Sequence, residues 1–273
     1  MNLVYQLFDL SNKLVIFAGG AGQIGFATAI ILADAGANVI IADLDVEMAQ
    51  NKISNIEETS IKEKLHPLKL DVSDANQIAP FYKEVRKRYG KIYGLVNCFH
   101  FKGNSRKLDT SSNFFAGFED YPLEAWDKVH DVNLKGTFLM SQQAIPYFRE
   151  NGRGVIVNFS STYGNVSPNK FIYGKSGINS PVAYATSKAA IINLTRYIAT
   201  HLADENIRAN VLSPGGVFNN QSEEFIANYT SLTPLKRMAN AEDYQGAVLY
   251  LMSDASKYMT GANLIVDGGW TAW

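Results

Sequence analysis

One stretch constrains this chain more than any other: Ala18-Gly19-Gly20-Ala21-Gly22-Gln23-Ile24-Gly25, directly after the apolar run Leu14-Val15-Ile16-Phe17. A short continuous apolar run that ends in glycines reads as a buried strand. Small and apolar residues then recur at helical spacing through Ala33, and Gly36 supplies a helix stop. The glycines therefore sit between a strand and a helix. Backbone without Cβ atoms turns sharply there and lets a phosphate approach the helix N-terminus, where free N–H groups and the helix dipole favour anions. The candidate contacts are Gly19, Gly22, Gln23, Ile24 and Gly25. The competing reading is an ordinary strand–helix turn.

The alternation continues along the chain. Residues 38–43 form a second strand with Asp43 at its end, 18 residues beyond Gly25. A carboxylate about 20 residues past the glycines accepts hydrogen bonds from an adenosine ribose and repels a 2′-phosphate. The loop also lacks a Lys or Arg to neutralise that phosphate, so NAD is favoured over NADP. Residues 46–63 read as a charged surface helix, and 66–70 as a third strand leading into Asp71-Val72-Ser73-Asp74. Ser73 or Asp74 can cap the next helix, which runs to about Tyr89. Strands follow at 92–97, 154–159, 207–212 and 262–266, with helices at 123–149, from 183 to 203, near 220–230 and at 242–253. Strands alternating with helices imply a Rossmann-type, doubly wound α/β fold, with a parallel sheet of about seven strands and helices on both faces. No repeat or linker divides the chain, so residues 1–273 read as a single domain after a short leader at 1–12.

The fifth strand delivers Ser160, Ser161 and Thr162 at its C-terminal end, where ligands bind in open α/β sheets. Tyr184 and Lys188 follow, four residues apart, so on a helix both rise from one face. A phenol titrates near 10. A nearby ammonium favours the phenolate and brings it towards working range, which suits proton exchange with an alcohol oxygen. Asn133 is polar within a run that otherwise looks half buried, so it needs partners.

Composition narrows the partners. A net charge of -1 gives no reason to expect nucleic acid or an anionic membrane. No run of about 18 apolar residues exists, and the N-terminus lacks a signal-peptide pattern. The lone cysteine, Cys98, cannot form an internal disulfide. These features point to a cytoplasmic protein with a small-molecule substrate. The four histidines show no metal-ligand spacing, so no metal is expected.

Taken together, the glycine loop, Asp43, Asp71-Val72, Asn97, Asn133 in Val-Asn-Leu-Lys-Gly, Ser161 in Asn-Phe-Ser-Ser, Tyr184/Lys188, Pro214-Gly215 and the closing Ile-Val-Asp-Gly-Gly resemble a short-chain dehydrogenase/reductase over essentially the whole chain. The resemblance implies an NAD-dependent oxidoreductase that interconverts a secondary alcohol and a ketone. It implies a catalytic set of Asn133, Ser161, Tyr184 and Lys188. Tyr184 would exchange the proton and Ser161 would polarise the substrate oxygen. Lys188 would bind the nicotinamide ribose and lower the tyrosine pKa, and Asn133 would hold a water linking Lys188 to solvent. Asp71 and Val72 would contact adenine and the Val217 backbone the carboxamide, with Asn97, Pro214 and Gly215 also on the cofactor. Family resemblance also implies a homo-oligomer, a tetramer or dimer. The helix from about 183 to 203 and the Trp270–Trp273 tail would offer its apolar contacts.

The chain also departs from the family pattern. Ala18 replaces a Thr and Gln23 the middle glycine of the loop, so the Gly19/Gly22/Gly25 spacing resembles that of nucleotide-sugar epimerases. Asn97-Cys98-Phe99-His100 replaces Asn-Asn-Ala-Gly, leaving His100 either facing the substrate or making a structural hydrogen bond. Two irregular segments, 99–121 and 165–179, flank the site and resemble a branch associated with flagellin modification and nonulosonic acid biosynthesis. They carry Lys102, Arg106, Lys107, Lys170 and Lys175 among hydroxyl and aromatic residues, which suits a polar, sugar-like substrate. The alternatives are an epimerase-like enzyme and a catalytically silent NAD-binding protein.

Overall fold

The computed structural model describes residues 2–101, 103 and 113–273. The elements in chain order are α1 (Leu3–Phe8), β1 (Leu14–Ala18), α2 (Gln23–Asp34), β2 (Asn38–Asp43), α3 (Val46–Ser54), α4 (Thr59–Lys62), β3 (Leu65–Lys69), α5 (Ala75–Tyr89), β4 (Ile92–Asn97), α6 (Leu123–His130), α7 (Gly136–Asn151), β5 (Gly154–Phe159), α8 (Val182–His201), β6 (Ile207–Pro214), α9 (Glu223–Leu232), α10 (Gln245–Met252) and β7 (Asn263–Val266). The seven strands form one sheet in the order β3-β2-β1-β4-β5-β6-β7. Every neighbouring pair is parallel.

Side-chain alternation along β1 shows why both faces must be covered. Val15 and Phe17 enter one apolar cluster with Leu32 of α2 and Val248, Leu251 and Met252 of α10. Leu14, Ile16 and Ala18 enter the other, with Ile78 and Phe81 of α5 and Met140 and Phe148 of α7. A strand buried on both faces is apolar at every position, which is the pattern of residues 14–18.

Several expected elements differ in detail. The leader holds a short helix, α1, capped by Asn2, whose side chain accepts from the Val4 N–H at 3.2 Å. The helix expected over 46–63 is broken into α3 and α4, and Lys62 Nζ caps the break by donating to the Ser54 carbonyl at 2.9 Å. The helix expected at 242–253 starts as a 3-10 turn, Ala241–Tyr244, held by a capping box between Asn240 and Asp243. The helix expected at 123–149 contains a π turn, Asp131–Lys135, in which the Gly136 N–H reaches back to the Asp131 carbonyl. A π turn adds one residue to the helical count without changing the apolar pattern, so periodicity does not show it. The tail is less available as a contact surface than its composition suggests. Trp270 is buried, stacked on Tyr229 with ring centroids 4.4 Å apart, and only Trp273 is exposed.

The sheet's carboxyl edge carries the candidate residues. The glycine loop leaves β1, Asp43 ends β2, and Asp71-Val72 follows β3. Asn97 closes β4, Ser161 follows β5, and Pro214 ends β6. This is the edge where doubly wound sheets hold ligands.

Candidate active site

Backbone geometry explains the glycines of the first loop. Gly19 has φ +80°, and a Cβ there would lie 2.7 Å from the Phe99 nitrogen. A Cβ on Gly25 would collide with the Gly19 carbonyl. The loop is thus pressed against both β4's exit and its own helix. Asp43 fastens it: Oδ2 accepts from the Ala21 N–H at 3.0 Å and Oδ1 from the Asp45 N–H at 3.2 Å. Lys52 of α3 also reaches the loop, donating to the Ala21 carbonyl at 2.8 Å beside the Asp43 carboxylate. The loop's own sequence supplies no cation, but the fold does, 31 residues downstream of Ala21. Gln23 ends the loop by spanning to the far side of the cleft, where its Nε2 donates to the Phe218 carbonyl at 2.9 Å.

The remaining candidate cofactor contacts are held firmly. Asp71 Oδ1 accepts from the Ser73 N–H and hydroxyl at 2.8 and 2.7 Å, and the buried Val72 packs on the Gly136 side. Asn97 turns its amide into the sheet: Nδ2 donates to Asn158 Oδ1 at 2.8 Å, and Asn158 donates on to Thr195 at 2.9 Å. That ladder ties β4, β5 and α8 together through Nδ2, while the buried Asn97 Oδ1 has no hydrogen-bond partner among the described residues. The Pro214 carbonyl accepts from Thr162 at 3.0 Å, and the Gly215 carbonyl from the Tyr244 hydroxyl at 3.0 Å. Val217 bridges Ala239, and Gly216 donates to the Tyr229 hydroxyl at 2.6 Å.

Helix α8 brings the catalytic candidates together. The Tyr184 phenol lies beside the Ser161 hydroxyl, which favours its ionised form. Lys188 is buried, with Nζ 5.8 Å from the Tyr184 ring centre, and donates to the Phe159 carbonyl at 2.8 Å. Burial lowers Lys188 to about 8, and the Cys98 thiol alongside opposes that fall. Burial raises the Tyr184 phenol, which the Ser161 hydroxyl counteracts. The depression of the phenol expected from Lys188 is not found: burial leaves the phenol raised, and the group that lowers it is Ser161. Asn133 is fully buried in the π turn, where its Oδ1 accepts from the Phe101 N–H at 2.8 Å and its Nδ2 donates to Ser187 at 3.0 Å. Its side chain therefore braces the exit of β4 against α8, while its carbonyl takes the Thr137 hydroxyl at 2.7 Å.

Two further phenols join this centre. The Tyr163 and Tyr173 phenols lie beside each other and close to Tyr184, and burial raises both. A cavity of about 530 Å³ opens beside them, lined also by Glu119, Asn165, Lys170, Ser180 and the Thr186 face of α8. Both Lys170 and Lys175 are exposed, and of the two Lys170 lines this cavity. Lys102, Arg106 and Lys107 lie outside the described residues. Sequence reasoning missed Lys52, Tyr163 and Tyr173. Their only signal was chemical type, because the contacts that recruit them are long-range. Among the described residues, no cluster of His, Cys, Asp or Glu could hold a metal, and no helix is long and apolar enough to cross a membrane.

A glycine-cradled nucleotide loop beside a Tyr–Ser–Lys centre on a parallel sheet defines an oxidoreductase acting on a CH–OH group. Comparison with known proteins agrees. A family model described as Enoyl-(Acyl carrier protein) reductase matches residues 19–271. A 3-oxoacyl-(acyl-carrier-protein) reductase of Thermotoga maritima is 34% identical, over 95% of this chain and 98% of that one. Post-translational flagellin modification protein A of Campylobacter coli is 30% identical, over 96% of this chain and 99% of its own. Among solved structures, a short-chain dehydrogenase of Leptospira borgpetersenii with bound NAD+ superposes with a TM-score of 0.83 at 34% identity, covering 99% of this chain and 96% of that one. A gluconate 5-dehydrogenase of Burkholderia cenocepacia in complex with NADP and tartrate gives a TM-score of 0.85 at 25% identity, with 99% of both chains covered. The chain belongs to the short-chain dehydrogenase/reductases.

Proposed function

We propose that this chain is an NAD-dependent dehydrogenase of a polyhydroxylated secondary alcohol, a sugar, sugar acid or polyol. The observation that carries the reading is the juxtaposition of Tyr184 with Ser161, one helical turn from Lys188 at the sheet's carboxyl edge. In the oxidation direction the Tyr184 phenolate takes the hydroxyl proton. Ser161 holds the same substrate oxygen, so that the carbonyl forms with its dipole already stabilised. Lys188 stands with its Nζ 5.8 Å from the Tyr184 ring centre, placed to support the phenolate once the site is filled, and Cys98 lies beside both. A nicotinamide dinucleotide, when bound, supplies the hydride acceptor. The residues fit such a group: glycines at 19 and 25 let the loop fold tightly against the exit of β4 and its own helix, leading into the N-terminus of α2, and the Asp43 carboxylate at the end of β2 is bonded to that loop.

The polar substrate class rests on the hydrogen-bonding groups of the cavity next to the centre, where Tyr163, Tyr173, Asn165, Ser180 and Lys170 stand among apolar residues such as Phe118 and Val166. The gluconate dehydrogenase among the structural neighbours is consistent with it. The Asp43 carboxylate favours NAD, while Lys52 beside it softens the exclusion of NADP. The protein works as one catalytic domain in the cytoplasm, as a homo-oligomer built on the exposed face of α8 around Tyr197. An NADH-absorbance screen over polyols and hydroxy acids, run on wild type and Tyr184→Phe, tests the reading. Turnover should fall by about 10²–10⁴ in the variant, and a variant with near-normal turnover would refute it.

A further inference from the structure

His100 adds a group to this centre that the Asn/Ser/Tyr/Lys set does not include. It stands three residues beyond the end of β4, exposed, with its imidazole 5.7 Å from the Tyr184 ring centre and inclined at 71°. The contact is supported on both sides. Immediately after His100, the Phe101 N–H is held by Asn133 Oδ1 at 2.8 Å. The same carboxamide holds Ser187 at 3.0 Å, and Ser187 in turn donates to the Tyr184 carbonyl at 2.8 Å. One buried residue thus ties the backbone beside His100 to the backbone of Tyr184. On the other side, the Phe99 nitrogen is pressed against Gly19 and the Cys98 N–H is bonded to the Ala18 carbonyl at 2.9 Å. The imidazole is therefore set relative to the phenol by main-chain anchors fore and aft, although its own side chain is exposed.

We infer that His100 is a specificity-determining residue that hydrogen-bonds an oxygen substituent on the carbon next to the one oxidised. A substrate whose reacting oxygen touches Tyr184 and Ser161 presents its neighbouring carbons to whatever stands beside the phenol, and on the β4 side that is His100. An imidazole both donates and accepts, so it serves a vicinal hydroxyl or a carboxylate equally. This inference rests on the oxidoreductase reading above and deepens it: the enzyme selects vicinal diols and 2-hydroxy acids over simple secondary alcohols.

The test uses a matched pair, meso-2,3-butanediol and 2-butanol, which differ by that one hydroxyl. Each is assayed with NAD and with NADP. The readout is the ratio of kcat/KM for the diol to that for the mono-alcohol, which a purely structural role of His100 would leave in place. Wild type should favour the diol. His100→Phe should cut the ratio by about tenfold, the worth of one good hydrogen bond, mainly through KM of the diol. His100→Gln, which keeps a donor and an acceptor, should restore much of it and guards against a misfolded Phe variant. An unchanged ratio in both variants, or a wild type without preference, overturns the inference while leaving the oxidoreductase reading intact. A wild type that oxidises neither compound, nor any polyol or hydroxy acid of the screen above with either dinucleotide, defeats that reading and the inference with it; where only the larger substrates turn over, the same ratio is read on a polyol and its deoxy analogue at the carbon next to the one oxidised.

Discussion

The two halves of the cleft are built by different means. On the nucleotide side, the shape comes from backbone: Gly19, Gly25 and the Ala21 N–H bonded to Asp43 lie within a short span of chain. On the substrate side, the centre is assembled from side chains: Ser161, Tyr173, Tyr184 and Lys188 come from residues 161–188, and the fold brings His100 to them. Backbone cradles are stiff and need little burial to work. A side-chain centre must be buried to be positioned, and burial then perturbs every titratable group in it. The Tyr184 phenol is pushed up and the Lys188 ammonium down to about 8; at the glycine loop burial lowers Lys52 as well, with the Asp43 carboxylate opposing the fall.

The sharpest way to expose that difference is to remove the buried charge. The unfolded chain keeps the Lys188 proton to about pH 10.4, whereas the folded chain keeps it only to about 8. The unfolded state therefore binds more protons across this window, and stability rises with pH from 8 towards 10. The penalty of about 3 kcal/mol is fully present below pH 8. Tyr184, raised in the fold, adds no opposing slope until the unfolded phenol titrates near 10. Lys188→Met should be more stable than wild type at pH 7 and should flatten its share of the slope between pH 8 and 10. Urea melts at four pH values would show it, and a variant as pH-dependent as wild type would break the comparison.

Next in size is the brace across the substrate side. Asn133→Ala leaves the Phe101 N–H and the Ser187 hydroxyl without their partner. The expected loss is about 1–3 kcal/mol of stability, read as a lower melting temperature. Dinucleotide affinity should change far less than turnover, because the glycine loop is not in contact with the brace.

Charge at the ribose end should produce a smaller, purely discriminating effect. Asp43→Asn should raise the preference for NADP relative to NAD by about tenfold, and Lys52→Ala should lower affinity for NADP more than for NAD. Calorimetric titration with each dinucleotide checks both signs. Equal responses to the two dinucleotides would remove Asp43 and Lys52 from the discrimination.

The smallest effect concerns Gln23, the one side chain of the glycine loop that crosses the cleft. Gln23→Ala removes the bond to the Phe218 carbonyl. A single exposed hydrogen bond is worth about 0.5 kcal/mol, so dinucleotide release, followed by stopped-flow fluorescence, should quicken by about twofold. Retention of the wild-type rate would mean that the two sides of the cleft are not coupled through this residue.

Much of the fold was legible because its signals are local. The apolar run 14–17, the glycines and Asp43 announce a strand, a turn and a strand end wherever they occur, and the structure places each there. The break between α3 and α4 was not legible, because Lys62 closes it by a contact outside any helical spacing. The π turn around Asn133 escaped notice for a related reason: its cause is a buried carboxamide satisfying two distant groups, Phe101 and Ser187. In the site, Tyr184 and Lys188 were readable from a spacing of four on one helix. Lys52 was not, and its arrival beside Asp43 weakens the argument for NAD that the loop's own composition supports.

By itself the sequence determined the parallel sheet, the glycine turn and the face on which Tyr184 and Lys188 rise together, because periodicity and backbone freedom are properties of neighbouring residues. Only the tertiary structure decided which groups share the centre and in what ionisation state. It set His100 against Tyr184, Cys98 beside Lys188 and Lys52 beside Asp43, and it buried the catalytic pair. Proximity and desolvation are consequences of how strands 1, 4 and 5 lie side by side, and no local pattern in the chain encodes them.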